Sequence, residues 1–269
     1  MPKIVYLDNL PAQEGVSILE NQNKIEVVKI ESNNLEQSFK ELETAHAFQV
    51  SAARDEVPKI FHVNEEFLSK TPNLILVSSG GAGYDTIDVE ACTKRGILVV
   101  NQTGGNAQAV AEHAVALMLD LLKRVTETDL LLRKGWSGAR EDFIGRNLFK
   151  KTVGLIGLGN TGGRVAEICQ NGFSCDILAY DPYISNERFS KLNAKKTNLD
   201  ELLFESDIVS VHIPLTKETH NYIDKNFYSK MKKGSLFITT SRGSIHNEND
   251  LEEVIQFIRK PISGTKFFN

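Results

Sequence analysis

A strand that runs directly into a glycine-rich turn constrains this chain more than any other feature. The segment Thr152–Ile156 has the apolar, β-branched composition of a buried strand, and the sequence GLGNTG at residues 157–162 follows it without a break. Residues 164–169 then have a helical pattern. A strand, a G-x-G-x-x-G turn and a helix in this order are typical of a unit that binds a dinucleotide.

Each glycine of this turn has its own steric reason. Gly157 allows the tight turn, Gly159 lets a pyrophosphate approach the backbone, and Gly162 lets the helix pack closely on the strand. The amides of Asn160 and Thr161 then point, with the helix N-terminus, at negative charge. Glycine-rich turns also occur without a ligand, so the surrounding residues have to decide between the two interpretations.

An acidic residue stands at the distance that such a unit requires. Asp181 lies nineteen positions after Gly162 and ends a predicted strand at residues 177–180. A carboxylate there accepts hydrogen bonds from the adenosine ribose hydroxyls and repels a 2′-phosphate, which predicts NAD rather than NADP as the cofactor. The next arginine, Arg188, is too far along the chain to be predicted as a phosphate partner. The competing interpretation is an ordinary strand-end aspartate in a generic αβ unit.

Strands alternate with helices along most of the chain, which predicts an α/β fold with parallel sheets. We predict two Rossmann-like or flavodoxin-like domains, residues 1–100 and 101–269, with the second binding the dinucleotide and lacking its last part. The predicted strands are residues 3–7, 25–30, 74–77, 97–100, 152–156 and 177–180. The predicted helices are residues 35–45, 89–94, 107–123, 127–134, 164–169 and 249–258.

Composition excludes several classes of partner. The formal net charge is −4, which disfavours nucleic acid and anionic membranes as main partners, and no apolar run reaches the length of a membrane span. The three cysteines, Cys92, Cys169 and Cys175, form no C-x-x-C pair, so we predict neither a metal site nor a disulfide framework. A cytoplasmic protein is the expectation.

Over residues 78–243 the chain resembles the D-isomer-specific 2-hydroxyacid dehydrogenases, the group that includes phosphoglycerate dehydrogenase. The resemblance rests on GGAGYD at residues 80–85, Asn101 with VAEH at 110–113, the glycine-rich turn, DIVSVHIPLT at 207–216 and FITTSRG at 237–243. Residues 1–70 match only in their αβ pattern.

The resemblance implies a substrate site. The backbone amides of Gly80, Gly81, Ala82 and Gly83 would hold the substrate carboxylate as a nest of donors. Arg242 would be the catalytic residue that clamps the carboxylate and the keto oxygen, a task that suits a planar, permanently charged guanidinium. The competing interpretation of Arg242 is a surface residue at a strand end.

The resemblance also implies cofactor contacts beyond the glycine-rich turn. His212, Pro214 and Thr216 would border the nicotinamide ribose, mainly through their backbone. Thr240 and Ser241 would lie against the cofactor. With the turn and Asp181, these residues make up the predicted NAD site.

The remaining histidines are assigned no chemistry. We predict that His113 is a packing or hinge residue within its helix and that His246 is a solvated turn residue. His46, His62 and His220 have no chemical constellation around them.

The family resemblance implies a glutamate and a histidine beyond the arginine, and the 269 residues contain no Glu after Glu253 and no His after His246. The expectation is therefore a C-terminally truncated chain, with the last strand hinted at only by Ser263 and Gly264. Phe267 and Phe268 are expected to lie exposed and to favour association.

Two functions remain open on the sequence alone. The first is reversible hydride transfer between NAD and C2 of a small D-2-hydroxy acid, in a cleft between the two domains. The second is a truncated, catalytically weak or inactive homologue that still binds NAD. The resemblance further implies a homodimer formed through the helix from Ala107 and the loop around Trp136, and the sequence does not specify which 2-hydroxy acid is used.

Overall fold

Ten parallel strands form two five-stranded sheets in the part of the chain that the computed structural model describes, residues 1–10 and 13–259. The chain divides into two compact units, Met1–Asn106 and Ala107–Asn269, and each unit contains one sheet. Two parallel-sheet α/β units confirm the predicted fold class.

The first unit has the strand order β2-β1-β3-β4-β5. Its elements are β1 Lys3–Leu7, α1 Gln13–Glu20, β2 Glu26–Ile30, α2 Leu35–Glu43, β3 Ala47–Val50, α3 Glu65–Ser69, β4 Leu76–Ser79, α4 Val89–Lys94 and β5 Leu98–Val100. Side-chain caps begin three of the helices, since Asn34, Asn64 and Asp88 each accept a hydrogen bond from an amide in the first turn. This strand order matches the flavodoxin-like type.

The second unit has the strand order β10-β9-β6-β7-β8, which is the Rossmann order. Its elements are α5 Ala107–Lys123, α6 Val125–Arg133, β6 Thr152–Ile156, α7 Asn160–Phe173, β7 Asp176–Tyr180, α8 Asn186–Lys191, β8 Lys195–Lys196, α9 Leu199–Glu205, β9 Ile208–Val211, α10 Lys225–Lys230, β10 Leu236–Thr239 and α11 Glu248–Arg259. The strand order reverses between β6 and β9, so the crevice that binds ligands in such sheets lies at the carboxyl ends of these two strands.

The packing of the second unit leaves no room for a side chain at one position of β6. Strand β9 is buried along its whole length, and apolar clusters cover both faces of the sheet. A side chain at Gly154 would place its Cβ 2.2 Å from Ser206 Oγ and 2.6 Å from Leu202 Cδ2. Helix α9 therefore packs directly on the backbone of β6, which holds the start of the glycine-rich turn rigidly.

Most predicted elements appear with small shifts. Strand β4 begins at Leu76 and runs through Ser79, although the sequence predicts residues 74–77. Leu74 is buried but precedes the strand. Helix α7 is longer than the predicted 164–169, and strand β3 is not predicted. The predicted strand hint at Ser263 and Gly264 and the predicted exposure of Phe267 and Phe268 lie outside the described residues.

Candidate functional site

The glycine-rich turn at residues 157–162, called the phosphate turn below, is shaped by close contacts at two of its three glycines. Gly157 has φ +90°, and its amide donates to Tyr180 O at 2.9 Å. An added Cβ would lie 2.8 Å from His212 O at Gly157 and 2.0 Å from Gly157 O at Gly162. At Gly159 an added Cβ would meet nothing within 4 Å. Two glycines are thus needed by the fold, and the third leaves open space at the turn.

The open space at Gly159 adjoins the N-terminus of α7. The helix begins at Asn160, and its first backbone bond runs from Gly163 N to Gly159 O at 3.0 Å. The amides of Asn160, Thr161 and Gly162 belong to the first turn, whose donors have no acceptor inside a helix. Unsatisfied donors and the positive end of the helix dipole together form an anion-binding position.

Asp181 is held against the phosphate turn. Its Oδ2 accepts from Leu158 N at 2.9 Å, and its Oδ1 accepts from Tyr183 N at 3.0 Å. Each oxygen keeps a further lone pair, so the carboxylate can also accept hydrogen bonds from hydroxyl groups. Asp181 therefore orients the turn, a contact that sequence reasoning missed, and it remains available for the predicted ribose contact.

The structure brings Arg188 beside the phosphate turn, although the sequence places it too far along the chain for a phosphate partner. Arg188 Nη2 donates to Gly159 O at 3.1 Å across 29 positions of sequence. Because β6 and β7 are neighbours in register, the chain that follows β7 returns to the start of α7. Arg188 therefore lies beside the phosphate turn despite its separation along the chain, while its role toward a 2′-phosphate stays a prediction from the sequence.

His212 follows β9 on the other side of the switch point. Its Nε2 lies 2.9 Å from Ser210 Oγ and its Nδ1 lies 3.5 Å from Thr240 Oγ1. Burial lowers the pKa of His212 to about 4, so the ring is neutral at physiological pH. Ser241 Oγ donates to Val211 O at 3.1 Å, which ties the ends of β9 and β10 together.

The loop after His212 is closed by its own hydrogen bonds. Thr219 Oγ1 donates to Pro214 O at 2.6 Å, and Thr216 N donates to Thr219 Oγ1 at 2.7 Å. Pro214 and Thr216 are exposed, at the carboxyl end of the same strand as His212. The predicted cofactor residues His212, Pro214, Thr216, Thr240 and Ser241 therefore gather at the ends of β9 and β10.

Arg242 has extended backbone, φ −99° and ψ 143°, immediately before the short 3₁₀ turn Gly243–Ile245. Its side chain is half-buried. The turn is held by backbone bonds from Asn221 N to Ser244 O at 2.9 Å and from Ile223 N to Ile245 O at 3.0 Å. The segment that carries Arg242 is thus anchored on the body of the second unit.

The prediction that His246 is a solvated turn residue is wrong. His246 is buried, its Nδ1 lies 3.0 Å from Tyr228 Oη, and its ring meets Phe237 edge-on at 5.5 Å. Burial lowers its pKa. The bonds that anchor the Gly243–Ile245 turn draw the next residue inward, and this long-range effect is not visible in the local sequence.

The Gly80 to Gly83 loop of the first unit has a different construction. Gly80 N donates to Val50 O at 2.8 Å, Ala82 O accepts from Asn101 Nδ2 at 2.9 Å, and Gly83 O accepts from Ser79 Oγ at 2.5 Å. Gly80 therefore does not have a free amide, in contrast to the expectation from the resemblance. Within the described residues, the amides of Gly81, Ala82 and Gly83 make no hydrogen bond, so these three remain candidate donors.

Sequence reasoning missed the loop that follows β3. A Cβ at Gly81 would lie 3.1 Å from Ala52 Cβ, and Thr86 Oγ1 donates to Ser51 O at 2.7 Å. Arg54 Nε donates to Asp85 O at 2.6 Å. Strands β3 and β4 are parallel neighbours, so the loops after them must meet at one edge of the sheet. The sequence did not indicate that these two loops meet, because β3 itself was not predicted.

Four other histidines have no role in these clusters. His46 Nδ1 accepts from Lys3 N at 3.1 Å, and His62 Nε2 lies 3.0 Å from Val57 O. His113 is exposed on α5 and does not pack in the core of its unit, and His220 is also exposed.

Two further features, a metal site and a membrane-spanning helix, are absent from the described residues. No group of three or more His, Cys, Asp or Glu side chains there could hold a metal ion. Among the same residues, no helix is long and apolar enough to cross a membrane.

A family model and curated relatives both match this chain as a 2-hydroxyacid dehydrogenase. Residues 115–262 match the family model described as "D-isomer specific 2-hydroxyacid dehydrogenase, NAD binding domain". A D-3-phosphoglycerate dehydrogenase from Archaeoglobus fulgidus is 41% identical over 195 residues, which cover 72% of this chain and 36% of that protein. The chain spans less than half the length of the first curated relatives that it matches.

Solved structures agree over nearly the whole chain. A D-lactate dehydrogenase from Aquifex aeolicus, complexed with NAD and lactic acid, has a TM-score of 0.78 at 31% identity, covering 94% of this chain and 73% of that chain. An acyclic imino acid reductase in complex with NADPH and D-Arg has a TM-score of 0.79 at 27% identity, covering 95% and 79%.

Proposed function

The chain belongs to the D-isomer-specific 2-hydroxyacid dehydrogenase family, and we propose that it binds NAD and reversibly reduces a small 2-keto acid to the D-2-hydroxy acid. The observation that carries this proposal is the phosphate turn. Gly157 and Gly162 are required by backbone contacts of 2.8 and 2.0 Å, whereas Gly159 borders open space at a helix N-terminus. A glycine with no steric need, next to unsatisfied amides, fits a pyrophosphate that must touch the backbone.

The adenosine half of the cofactor is assigned to the turn and Asp181. The amides of Asn160 and Thr161 would hold the pyrophosphate, and the Asp181 carboxylate would accept hydrogen bonds from the ribose hydroxyls. Because a second negative charge beside Asp181 is repelled, NAD is preferred to NADP. When bound, NADH would supply the hydride for reduction and NAD⁺ would accept it in the reverse direction, with the proton of the product hydroxyl exchanged with water.

The nicotinamide half is assigned to the ends of β9 and β10. His212, Pro214 and Thr216 would border the ribose, with Thr240 and Ser241 against the ring side of the cofactor. The neutral His212 ring adds no positive charge near the site, and its bonds to Ser210 and Thr240 hold the two strand ends in place. These residues would position the nicotinamide half of the cofactor.

The substrate is assigned to two groups of donors. The amides of Gly81, Ala82 and Gly83 would bind the carboxylate, with Gly80 acting through its bond to Val50 O. The Arg242 guanidinium would bind the carboxylate and the keto oxygen, where it stabilises the negative charge that develops on that oxygen during reduction. Relatives named for phosphoglycerate and glyoxylate, and one solved with lactic acid, support a small 2-hydroxy acid as the substrate class.

A homodimer and a cytoplasmic location are further parts of this proposal. Helix α6 exposes Val125 and Leu132, which lie seven positions apart on one face, with Leu132 67% exposed, and this apolar face supports association of two copies. Light scattering coupled to size-exclusion chromatography would give the mass of the particle. Cytoplasmic location remains a prediction based on the cysteine content.

Two titrations and one assay test the proposed function. NADH and NADPH are each titrated against the unmodified chain by cofactor fluorescence, and NADH should bind at least about tenfold more tightly. Asp181→Asn, which keeps the size of the side chain, should erode that preference. Equal or tighter binding of NADPH would contradict the cofactor assignment.

The assay follows NADH absorbance with pyruvate, glyoxylate and 3-phosphohydroxypyruvate. Oxidation of NADH by one of these acids, lost in Arg242→Gln, supports the reaction class. Tight NADH binding with no oxidation by any of them would favour the alternative function, a weakly active or inactive NAD-binding homologue, which no observation on the described residues favours now.

A further inference from the structure

Arg188 occupies a space that a glycine leaves open on the phosphate turn. A Cβ at Gly163 would lie 2.6 Å from Arg188 Nη2 and 3.5 Å from its Cζ, so the guanidinium sits where any other side chain at position 163 would be. Gly163 is not one of the three glycines of the turn pattern. The close contacts within that pattern are those of Gly157 with His212 and of Gly162 with Gly157, and they do not involve Arg188. Gly163 and Arg188 therefore form a matched pair that dinucleotide turn geometry alone does not require.

The guanidinium also contacts the residue that the cofactor must approach. Arg188 Nη2 donates to the carbonyl oxygen of Gly159 at 3.1 Å, and Gly159 is the N-cap of α7. The hydrogen bond fixes the orientation of the peptide that follows Gly159. That peptide carries the Asn160 amide, one of the proposed pyrophosphate donors.

The position of this cation is electrostatically unusual. Cations are unfavourable at the N-terminus of a helix, because the unsatisfied amides already carry partial positive charge. The first turn of α7 contains no acidic residue to offset Arg188. Asp181, the carboxylate that contacts the turn, accepts from the amides of Leu158 and Tyr183. An anion bound at the turn would relieve the repulsion, so the arrangement favours the protein with a bound anion.

We propose that Arg188 is a positioning residue for the NAD pyrophosphate, which orients the turn through Gly159 and adds positive charge to the anion-binding position. The inference rests on the proposed function and goes beyond it, since neither the turn pattern nor the family resemblance assigns a role to Arg188. The pyrophosphate is the anion concerned, because Arg188 is bonded to Gly159, whereas the ribose end of the site is occupied by the Asp181 carboxylate.

The main test measures cofactor affinity in Arg188→Gln. The variant removes the charge and keeps a donor that can reach toward Gly159 O, and the Kd for NADH should rise about tenfold. The control is Lys191→Gln, which removes an exposed cation from the same helix and should change the Kd less than twofold. Arg188→Lys, which keeps the charge and loses the planar fork, should lie between the two.

Two further measurements separate positioning of the anion from general support of the fold. The Kd for NADH is measured at several salt concentrations, and its salt dependence should be weaker in Arg188→Gln, because one interacting charge is gone. Competition against NADH with ADP-ribose and with adenosine should show about a tenfold loss for ADP-ribose and no change for adenosine. Thermal unfolding of each variant checks that the protein is folded.

A second variant covers the case in which Arg188→Gln does not fold. Gly163→Ala leaves the charge in place and displaces the guanidinium, since its Cβ would lie 2.6 Å from Nη2. We expect a several-fold weaker affinity for NADH and ADP-ribose, again with adenosine unaffected.

The outcomes are distinct. NADH affinity equal to that of the unmodified chain in Arg188→Gln, or equal losses for adenosine and ADP-ribose, would overturn the role of Arg188 and leave the proposed function standing. A loss confined to NADPH would assign Arg188 to a 2′-phosphate and overturn the pyrophosphate role. Failure of the unmodified chain to bind NADH would overturn the proposed function and this inference with it.

Discussion

Two glycine-rich loops follow parallel strands in this protein, and they use glycine for different reasons. In the phosphate turn, Gly157 has a positive φ, and Gly162 has the backbone oxygen of Gly157 within 2.0 Å of its missing Cβ. In the loop at residues 80–83, none of the glycines has a positive φ, and the nearest atoms to a Cβ at Gly80 and Gly81 lie at 3.3 and 3.1 Å. The first loop requires glycine to fold, and the second tolerates more.

The continuation of the chain also differs. Helix α7 begins at Asn160, inside the phosphate turn, whereas the next α-helix after Gly83 begins at Val89. The phosphate turn thus combines free amides with a helix dipole, and the 80–83 loop has free amides only. This difference explains why the local pattern of strand, glycine-rich turn, helix and following Asp181 identifies the first loop, whereas only the family resemblance assigns a function to the second.

The largest expected effect breaks the fold requirement of the phosphate turn. Gly162→Ala places a Cβ 2.0 Å from the backbone oxygen of Gly157, and neither backbone can move without disturbing β6 or α7. The free energy of unfolding, measured with urea, should fall by about 3 kcal/mol or more. A loss below about 1 kcal/mol would mean that the turn is not as tightly packed as described.

Gly159→Val separates binding from folding within the same turn. The added side chain meets no protein atom near its Cβ, so the free energy of unfolding should change by no more than about 1 kcal/mol. The Kd for NADH should rise by at least about a hundredfold, because the side chain stands where the pyrophosphate approaches the backbone. Unchanged NADH affinity would show that the turn is structural only.

Acid should destabilise the second unit through His212, which lies beside Gly157. Its pKa is about 4 in the folded protein, against about 6.5 in an unfolded chain. The unfolded chain therefore binds more protons between these values, and stability is lost as the pH falls from about 6.5 toward about 4, by on the order of 2 kcal/mol. Urea unfolding at several pH values measures this loss.

The control for this pH effect is His212→Gln, whose stability should depend less on pH. His246, whose pKa burial also lowers, contributes in the same direction and leaves part of the slope in that variant. An identical pH dependence in the variant and the unmodified chain would exclude His212 as the cause.

The smallest expected effect on stability belongs to the 80–83 loop. In Gly81→Ala the new Cβ lies 3.1 Å from Ala52 Cβ, so the free energy of unfolding should change by less than about 1 kcal/mol. The KM for the keto acid should rise several-fold while the Kd for NADH stays the same. A weaker affinity for NADH would contradict the assignment of this loop to the substrate.

Local patterns predicted many of the elements well. Helices Val89–Lys94 and Ala107–Lys123 and strand Thr152–Ile156 have the predicted bounds, because their apolar spacing and flanking turn residues lie within each segment. Strand Ala47–Val50 was missed. Four residues are too few to show alternation, and the full burial of Phe48 depends on packing against Phe67 of α3, from elsewhere in the chain.

The same distinction applies to the candidate sites. The spacing of Gly157, Gly159, Gly162 and Asp181 was visible in the sequence, because all four lie in one continuous strand–turn–helix–strand unit. The loop at Ser51 was not, because it joins the 80–83 loop only through the pairing of β3 with β4.

By itself, the sequence determined the αβ alternation, the turn that begins α7 and the acid that follows β7, since each is encoded by neighbouring residues. Only the tertiary structure decided that Arg188 lies on Gly159, that Asp181 also holds Leu158, and that His246 is buried against Tyr228. These contacts join residues 18 to 29 positions apart. The physical reason is that they depend on the pairing of β6 with β7 and on the packing around β10, which no local pattern of residues specifies.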